Sequence, residues 1–243
     1  MNPIDRNPNN TNPYAAPQDR VWETPSTPSS EVIEGEFRPL RTVWFAPRAT
    51  VRRIVSVNPT LYVLPFVCLA GIGSALDRAS LRNLGDQTSL PAILTIAVIL
   101  GPLGGLLGWW IGSHLIRISG AWIGGIADSE AIRTALAWAS LPNVLALFLW
   151  IPQLALFGSE NFTTDTPQID SQPGLLVALM VIGVLELTLG IWTLVLLCNM
   201  IAEVQNYRSA WKGLGNLILA GLLLFGAILG IVIPIALLSA ILR

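Results

Sequence analysis

The chain has 243 residues, 53% of them hydrophobic and only 12% charged, against about 25% charged in an ordinary soluble domain. Fourteen basic and fifteen acidic residues leave a net charge of −1, which excludes the bulk positive field that gathers nucleic acid. Two cysteines without ligand spacing, Cys68 and Cys198, point to neither a disulfide framework nor a zinc site and read as small apolar packing residues.

Residues 1–40 are rich in Asn, Pro, Ser and Thr, with Asn2-Pro3, Asn7-Pro8 and Asn12-Pro13 pairs. Such a segment cannot bury enough apolar surface to offset its ordering entropy, so a disordered cytoplasmic tail is expected. It serves as a solvated spacer or, through Trp22 and Phe37, as a docking tail. It lacks the short apolar core behind a basic start that marks a cleavable signal peptide. Insertion would then rely on the first span as an uncleaved anchor.

Residues 41–56 mix cations with apolar side chains. Beyond Pro47, tolerated in a first helical turn, Val51, Ile54 and Val55 share one face at helical spacing. Arg48, Arg52 and Arg53 are left towards lipid headgroups, with Trp44 at the interface. The expectation is an amphipathic helix lying on the membrane surface.

Residues 57–243 carry five apolar stretches, at 57–77, 91–116, 134–157, 174–198 and 214–242. Each suffices to cross a bilayer, which takes about 20 apolar residues. The fold class is therefore all-α, a polytopic membrane bundle of five helices. With the N-terminus inside, inner segments hold nine cations beside the spans: Arg38, Arg41, Arg48, Arg52, Arg53, Arg117, Arg133, Arg208 and Lys212. Outer segments hold three: Arg78, Arg82 and Arg243. That asymmetry predicts a cytoplasmic N-terminus and an external C-terminus. Asn161-Phe162-Thr163 forms a glycosylation triplet in the loop assigned outside.

In span two, Gly101/Gly105 and Gly104/Gly108/Gly112 recur at four-residue intervals and clear a groove for close helix approach, within the bundle or to a second copy. Pro65, Pro102, Pro142, Pro152 and Pro234 interrupt the spans and can kink them. Glu186 lies near the middle of span four. A carboxylate there costs about 2.5–3.5 kcal/mol on insertion scales, so it should face the bundle interior. Asn143, His114 and Arg117 are its expected partners in a polar cluster. Between spans, Asp128 or Ser129 is placed to cap the helix that carries Glu130 and Arg133. Signatures of hydrolases, metalloproteases, phosphate loops and dinucleotide sites are absent from the sequence, so neither an enzyme nor a cofactor is expected.

The ordered features W-F-x-P-R-x-T at Trp44–Thr50, Asn58-Pro59, a Gly-rich span with His114 and Arg117 at its end, GGIADSEAIRTALAWASLPNVL and NMIAEVQNYRSAWKGLGN resemble the bacterial branch of the Yip1 family, over about residues 40–240. The resemblance implies five transmembrane helices with a cytoplasmic N-terminus, in a bacterial inner membrane. Eukaryotic Yip1 relatives are linked to vesicle trafficking and to Rab-type GTPases. This chain lacks their D-L-Y-G-P type signature, so that role is not carried over. The expected function is a non-enzymatic scaffold or adaptor in the lipid bilayer, binding other membrane proteins or further copies of itself. The alternative is a small transporter or channel using Glu186, Asn143, His114 and Arg117 as a relay.

Overall fold

The computed structural model describes residues 38–241, with side chains through residue 234. The expected disorder of 1–40 lies almost wholly outside the described residues, as do Trp22, Phe37 and Arg243. In chain order the helices are α1 Pro39–Thr42, α2 Pro47–Val57, α3 Val63–Leu81, α4 Leu90–Trp122, α5 Ser129–Ala139, α6 Leu141–Phe157, α7 Pro167–Ser171, α8 Pro173–Val204 and α9 Ala210–Ile241. Among the described residues there is no strand.

Five stretches are long and apolar enough to span a bilayer: Val63–Leu81, Leu90–Trp122, Ser129–Phe162, Pro173–Val204 and Ala210–Pro234. In the α8 and α9 stretches only 6% of the most apolar window is buried inside the protein. Val177, Met180, Leu187, Ile191, Leu222 and Phe225 stand exposed there. An apolar surface of that extent belongs against lipid tails. At 33 residues, α4 is about 50 Å long, so it outruns a hydrocarbon core of about 30 Å.

Asn58 shows why the first span starts at Val63 rather than at 57. Its side-chain oxygen accepts the Thr60 backbone N–H at 3.2 Å and hydroxyl at 2.9 Å. Tyr62 then adopts a left-handed φ of 54° before α3 begins. The turn is clamped from α5, where the Thr134 hydroxyl donates to the Pro59 carbonyl at 2.7 Å and the Trp138 indole to the Leu61 carbonyl at 3.0 Å. Trp138 is fully buried with Phe66 edge-on to its ring.

Helices α3 and α4 pack at backbone distance. A Cβ on Gly101 would lie 2.8 Å from the Ile72 Cα, and one on Gly105 would lie 2.6 Å from the Val67 carbonyl. Gly71 faces both, so three bare positions permit the crossing. Gly104, Gly108 and Gly112 have nothing within 4 Å and leave an open face.

The third span is two helices. Asp128 caps α5, its carboxylate accepting the Ala131 N–H at 2.8 Å. The chain breaks at Ser140, which ends α5 and precedes α6. Pro142 is the cause, since in a continuous helix its ring would clash with the carbonyl of Trp138. Pro142 therefore sits in the first turn of α6, as Pro65 does in α3, where no helical hydrogen bond is lost. Pro102, Pro152 and Pro234 lie inside their helices.

The connections gather by charge. Arg48, Arg52, Arg117, Arg133, Arg208 and Lys212 mark one end of the bundle, the basic end. Asp86, Glu160, Asp165 and Asp170 mark the opposite, acidic end. There Phe162 is fully buried and stacks on Trp150 at 5.3 Å, within an apolar cluster that includes Leu76 and Ile93. The Glu160 carboxylate accepts the Gln168 and Ile169 N–H groups at 2.8 and 2.9 Å and so caps α7. The Asn161 amide, read as a glycosylation acceptor, donates to the Gln153 carbonyl at 3.0 Å and is partly buried.

Candidate functional site

The structure distributes the four polar residues singled out in the spans among separate networks. Glu186 on α8 accepts a hydrogen bond from the Gln153 amide of α6 at 2.6 Å. Asn143 accepts the Thr193 hydroxyl at 2.9 Å, tying the start of α6 to α8. His114 meets Arg133 at 3.4 Å, with Trp110 edge-on to the imidazole at 4.5 Å. Arg117 is exposed and makes no side-chain hydrogen bond among the described residues.

Gln153 is the partner that spacing missed. It lies three residues after Trp150, hence on the same face of α6. The Trp150 indole donates to Asp77 of α3 at 3.2 Å. Asp77 is within electrostatic reach of Glu186. Two carboxyl groups from α3 and α8 therefore meet donors from one face of α6, towards the acidic end. Each acid has a neutral donor, the pairing that intramembrane carboxyls need.

At the basic end, Arg133 of α5 lies across α4. Its Nε donates to the Ser113 hydroxyl at 3.4 Å, and its guanidinium sits 5.6 Å from the Trp109 ring centroid. The Trp109 indole returns a bond to the Arg133 carbonyl at 2.9 Å. The sequence marks Arg133 as a cation beside a span, on the helix that Asp128 or Ser129 caps, and its contacts with α4 are not legible there.

Arg48 and Arg52 of α2 reach the end of α8. Arg52 Nε donates to Glu203 Oε1 at 2.6 Å, and Nη2 of the same guanidinium lies 2.5 Å from that oxygen. Arg48 donates to Asn199 Oδ1 at 3.3 Å and to the Tyr207 carbonyl at 3.4 Å. Both cations sit at the negative end of the α8 dipole. Thr50, Val51 and Ile54 are buried beneath them. Trp44 is half-buried and Arg53 exposed.

Beside this lies a buried polar knot. Gln205 is 1% exposed, accepting the Ala127 N–H at 3.1 Å and donating to the Ile116 carbonyl at 3.4 Å. The Tyr207 hydroxyl donates to the Gly120 carbonyl at 3.1 Å, and Ser119 donates to Asn216 Oδ1 at 2.6 Å. Asn216 Nδ2 is left without a partner. A Cβ on Gly120 or Gly125 would strike the Gln205 side chain, so either substitution would displace its amide. Among the described residues there is no group of three or more His, Cys, Asp or Glu able to hold a metal.

Five apolar spans and their exposed apolar surfaces define a multi-pass integral membrane protein. Residues 41–241 match the Yip1 domain, and the chain belongs to that family. No curated protein and no solved structure matches it.

Proposed function

We propose that the protein is a non-enzymatic scaffold that recruits other membrane proteins at its basic end. One observation carries this reading. The conspicuous polar groups there, Arg48, Arg52, Arg133, Gln205 and Tyr207, are occupied in holding chain connections together. Phe45, Trp122 and Trp211 meanwhile stand 92%, 64% and 79% exposed. A braced framework presenting aromatics beside cations suits recruitment at a membrane surface better than turnover. The basic asymmetry supports a cytoplasmic position for this end, and the likeness of its motifs to bacterial members of the family supports a bacterial inner membrane. Crosslinking in native membranes, with and without residues 1–40, tests the reading. Stoichiometric partners lost on truncation support it, and self-crosslinks alone sink it.

A transport reading draws on the Asp77–Trp150 and Gln153–Glu186 pairs, which set two acids at one level of the bundle. Its test is proton and solute flux in liposomes. Glu186→Gln should abolish flux while assembly stays normal, and unchanged flux ends that reading.

A further inference from the structure

The geometry points to a binding groove for one anionic phospholipid, on the lipid-facing side of the α3–α4 pair. The groove encloses about 610 Å³. One wall is a stripe of α3 that includes Val67, Ser74 and Arg78, continued by Arg82 just past the end of the helix. The other is the four-residue repeat Ile96, Leu100, Gly104, Gly108, Gly112 of α4. From Ile96 to Gly112 that wall runs about 24 Å at 1.5 Å per residue, longer than one leaflet of about 15 Å of hydrocarbon. Its floor is the glycine crossing, where Gly71 meets Gly101 and Gly105. Because Gly104, Gly108 and Gly112 carry no side chain and have nothing within 4 Å, the trough stays open to a methylene chain.

Charge selects the occupant. Arg78 and Arg82 are the charged residues among those lining the groove. They lie one helical turn apart, at its acidic-end mouth beside Leu84. Neither side chain makes a hydrogen bond or ion pair among the described residues, and Arg78 feels the Asp77 carboxyl beside it only at longer, electrostatic range. A phosphate at that mouth would take both guanidinium groups while its acyl chain fills the trough, pairing each chemistry with its complement. A second copy of this chain, whose α4 face is apolar and glycine-lined, offers the two arginines nothing. The site also accounts for the two cations that run against the basic asymmetry of the loops. It is independent of the scaffold reading and of the orientation of the chain.

The test is native mass spectrometry of the full chain released from nanodiscs of phosphatidylcholine and phosphatidylglycerol in equal amounts. The wild type should retain phosphatidylglycerol in preference to phosphatidylcholine. At about 1 kcal/mol per cation and about 1.4 kcal/mol per tenfold, Arg78→Gln/Arg82→Gln should cut that preference about 25-fold. Gly108→Leu, which plugs the trough where space is open, should strip the retained lipid, and Gly112→Leu repeats the test should the first variant misfold. Equal retention of both lipids by the wild type overturns the proposal. So does phosphatidylglycerol retention that survives both glycine variants, which would place the lipid elsewhere. A mass of two chains without lipid, lost in Gly108→Leu, would assign the groove to a second copy instead.

Discussion

Gln153 Nε2 donates to Glu186 Oε1 at 2.6 Å across the α6–α8 contact. Gln153 is 6% exposed, so its amide has little access to other partners. Gln153→Leu should strand the carboxyl in apolar surroundings and lower stability by about 1–3 kcal/mol. Glu186→Gln keeps a hydrogen-bonded amide pair and should cost under about 1 kcal/mol. Thermal unfolding in detergent ranks the two, and the reverse order would mean that the carboxylate itself holds the helices.

The glycines of α4 divide into two functional faces. Gly101→Leu must push against the Ile72 Cα, 2.8 Å from where its Cβ would sit. Overpacking of that kind costs about 1–3 kcal/mol or more. Gly104→Leu meets nothing within 4 Å and should unfold with the wild type. Equal losses in both would show that α4 packs against a partner on its open face as well.

Two arginines pin α2 to the end of α8, and neither does so alone. The Arg52 side chain is 73% exposed against 14% for Glu203, so this bridge is largely wet. Arg52→Gln should cost no more than about 1 kcal/mol. Arg48→Gln should behave alike, since its bonds are 3.3 Å or longer. The double variant should release α2, read as faster hydrogen exchange across residues 50–57 with α8 unchanged. Protection that persists in the double variant would assign the docking to Val51 and Ile54 alone.

At the acidic end, the Thr164 hydroxyl and backbone N–H donate to Asp86 at 2.6 and 3.0 Å and hold its carboxyl below the usual carboxylate value. A carboxyl whose folded value is depressed adds stability above its unfolded value of about 3.9 and loses it as pH falls through the folded value. Thr164→Val removes the hydroxyl donor. The stability gap between wild type and variant should hold at neutral pH and close below about pH 4, as followed by melting against pH. A gap that stays open in acid would trace to packing.

How much of this was written in the sequence depends on the range of the information. Span number and fold class are properties of long local windows, and α8 takes in the whole 174–198 stretch, though it runs on to Val204. The tight Gly101/Gly105 face is likewise local, because i and i+4 positions share a helix side whatever lies opposite. Which helix lies opposite is not local. Glu186 was expected to meet Asn143, His114 or Arg117, yet the register of α6 against α8 brings Gln153 instead. Arg48 and Arg52 read as headgroup cations because their partners are about 150 residues further along the chain. Boundaries moved where one residue outweighs the hydropathy average: Tyr62 delays α3, and Asp128 with Pro142 turns the third span into two helices.

Tyr207 carries a prediction at the other end of the pH scale. Its hydroxyl donates to the Gly120 carbonyl at 3.1 Å, the residue is 4% exposed, and burial pushes the phenol above its ordinary value. The protonated form is the one the fold holds. Its contribution is complete below the unfolded value of about 10 and is lost as pH rises through the folded one. Stability of the wild type should therefore fall above about pH 10, and Tyr207→Phe should flatten that limb while costing about 1 kcal/mol at neutral pH. The phenylalanine ring still fills the site over which Lys212 sits, 4.7 Å from the ring centroid. An alkaline limb equally steep in the variant would show that the Tyr207 phenol does not set it.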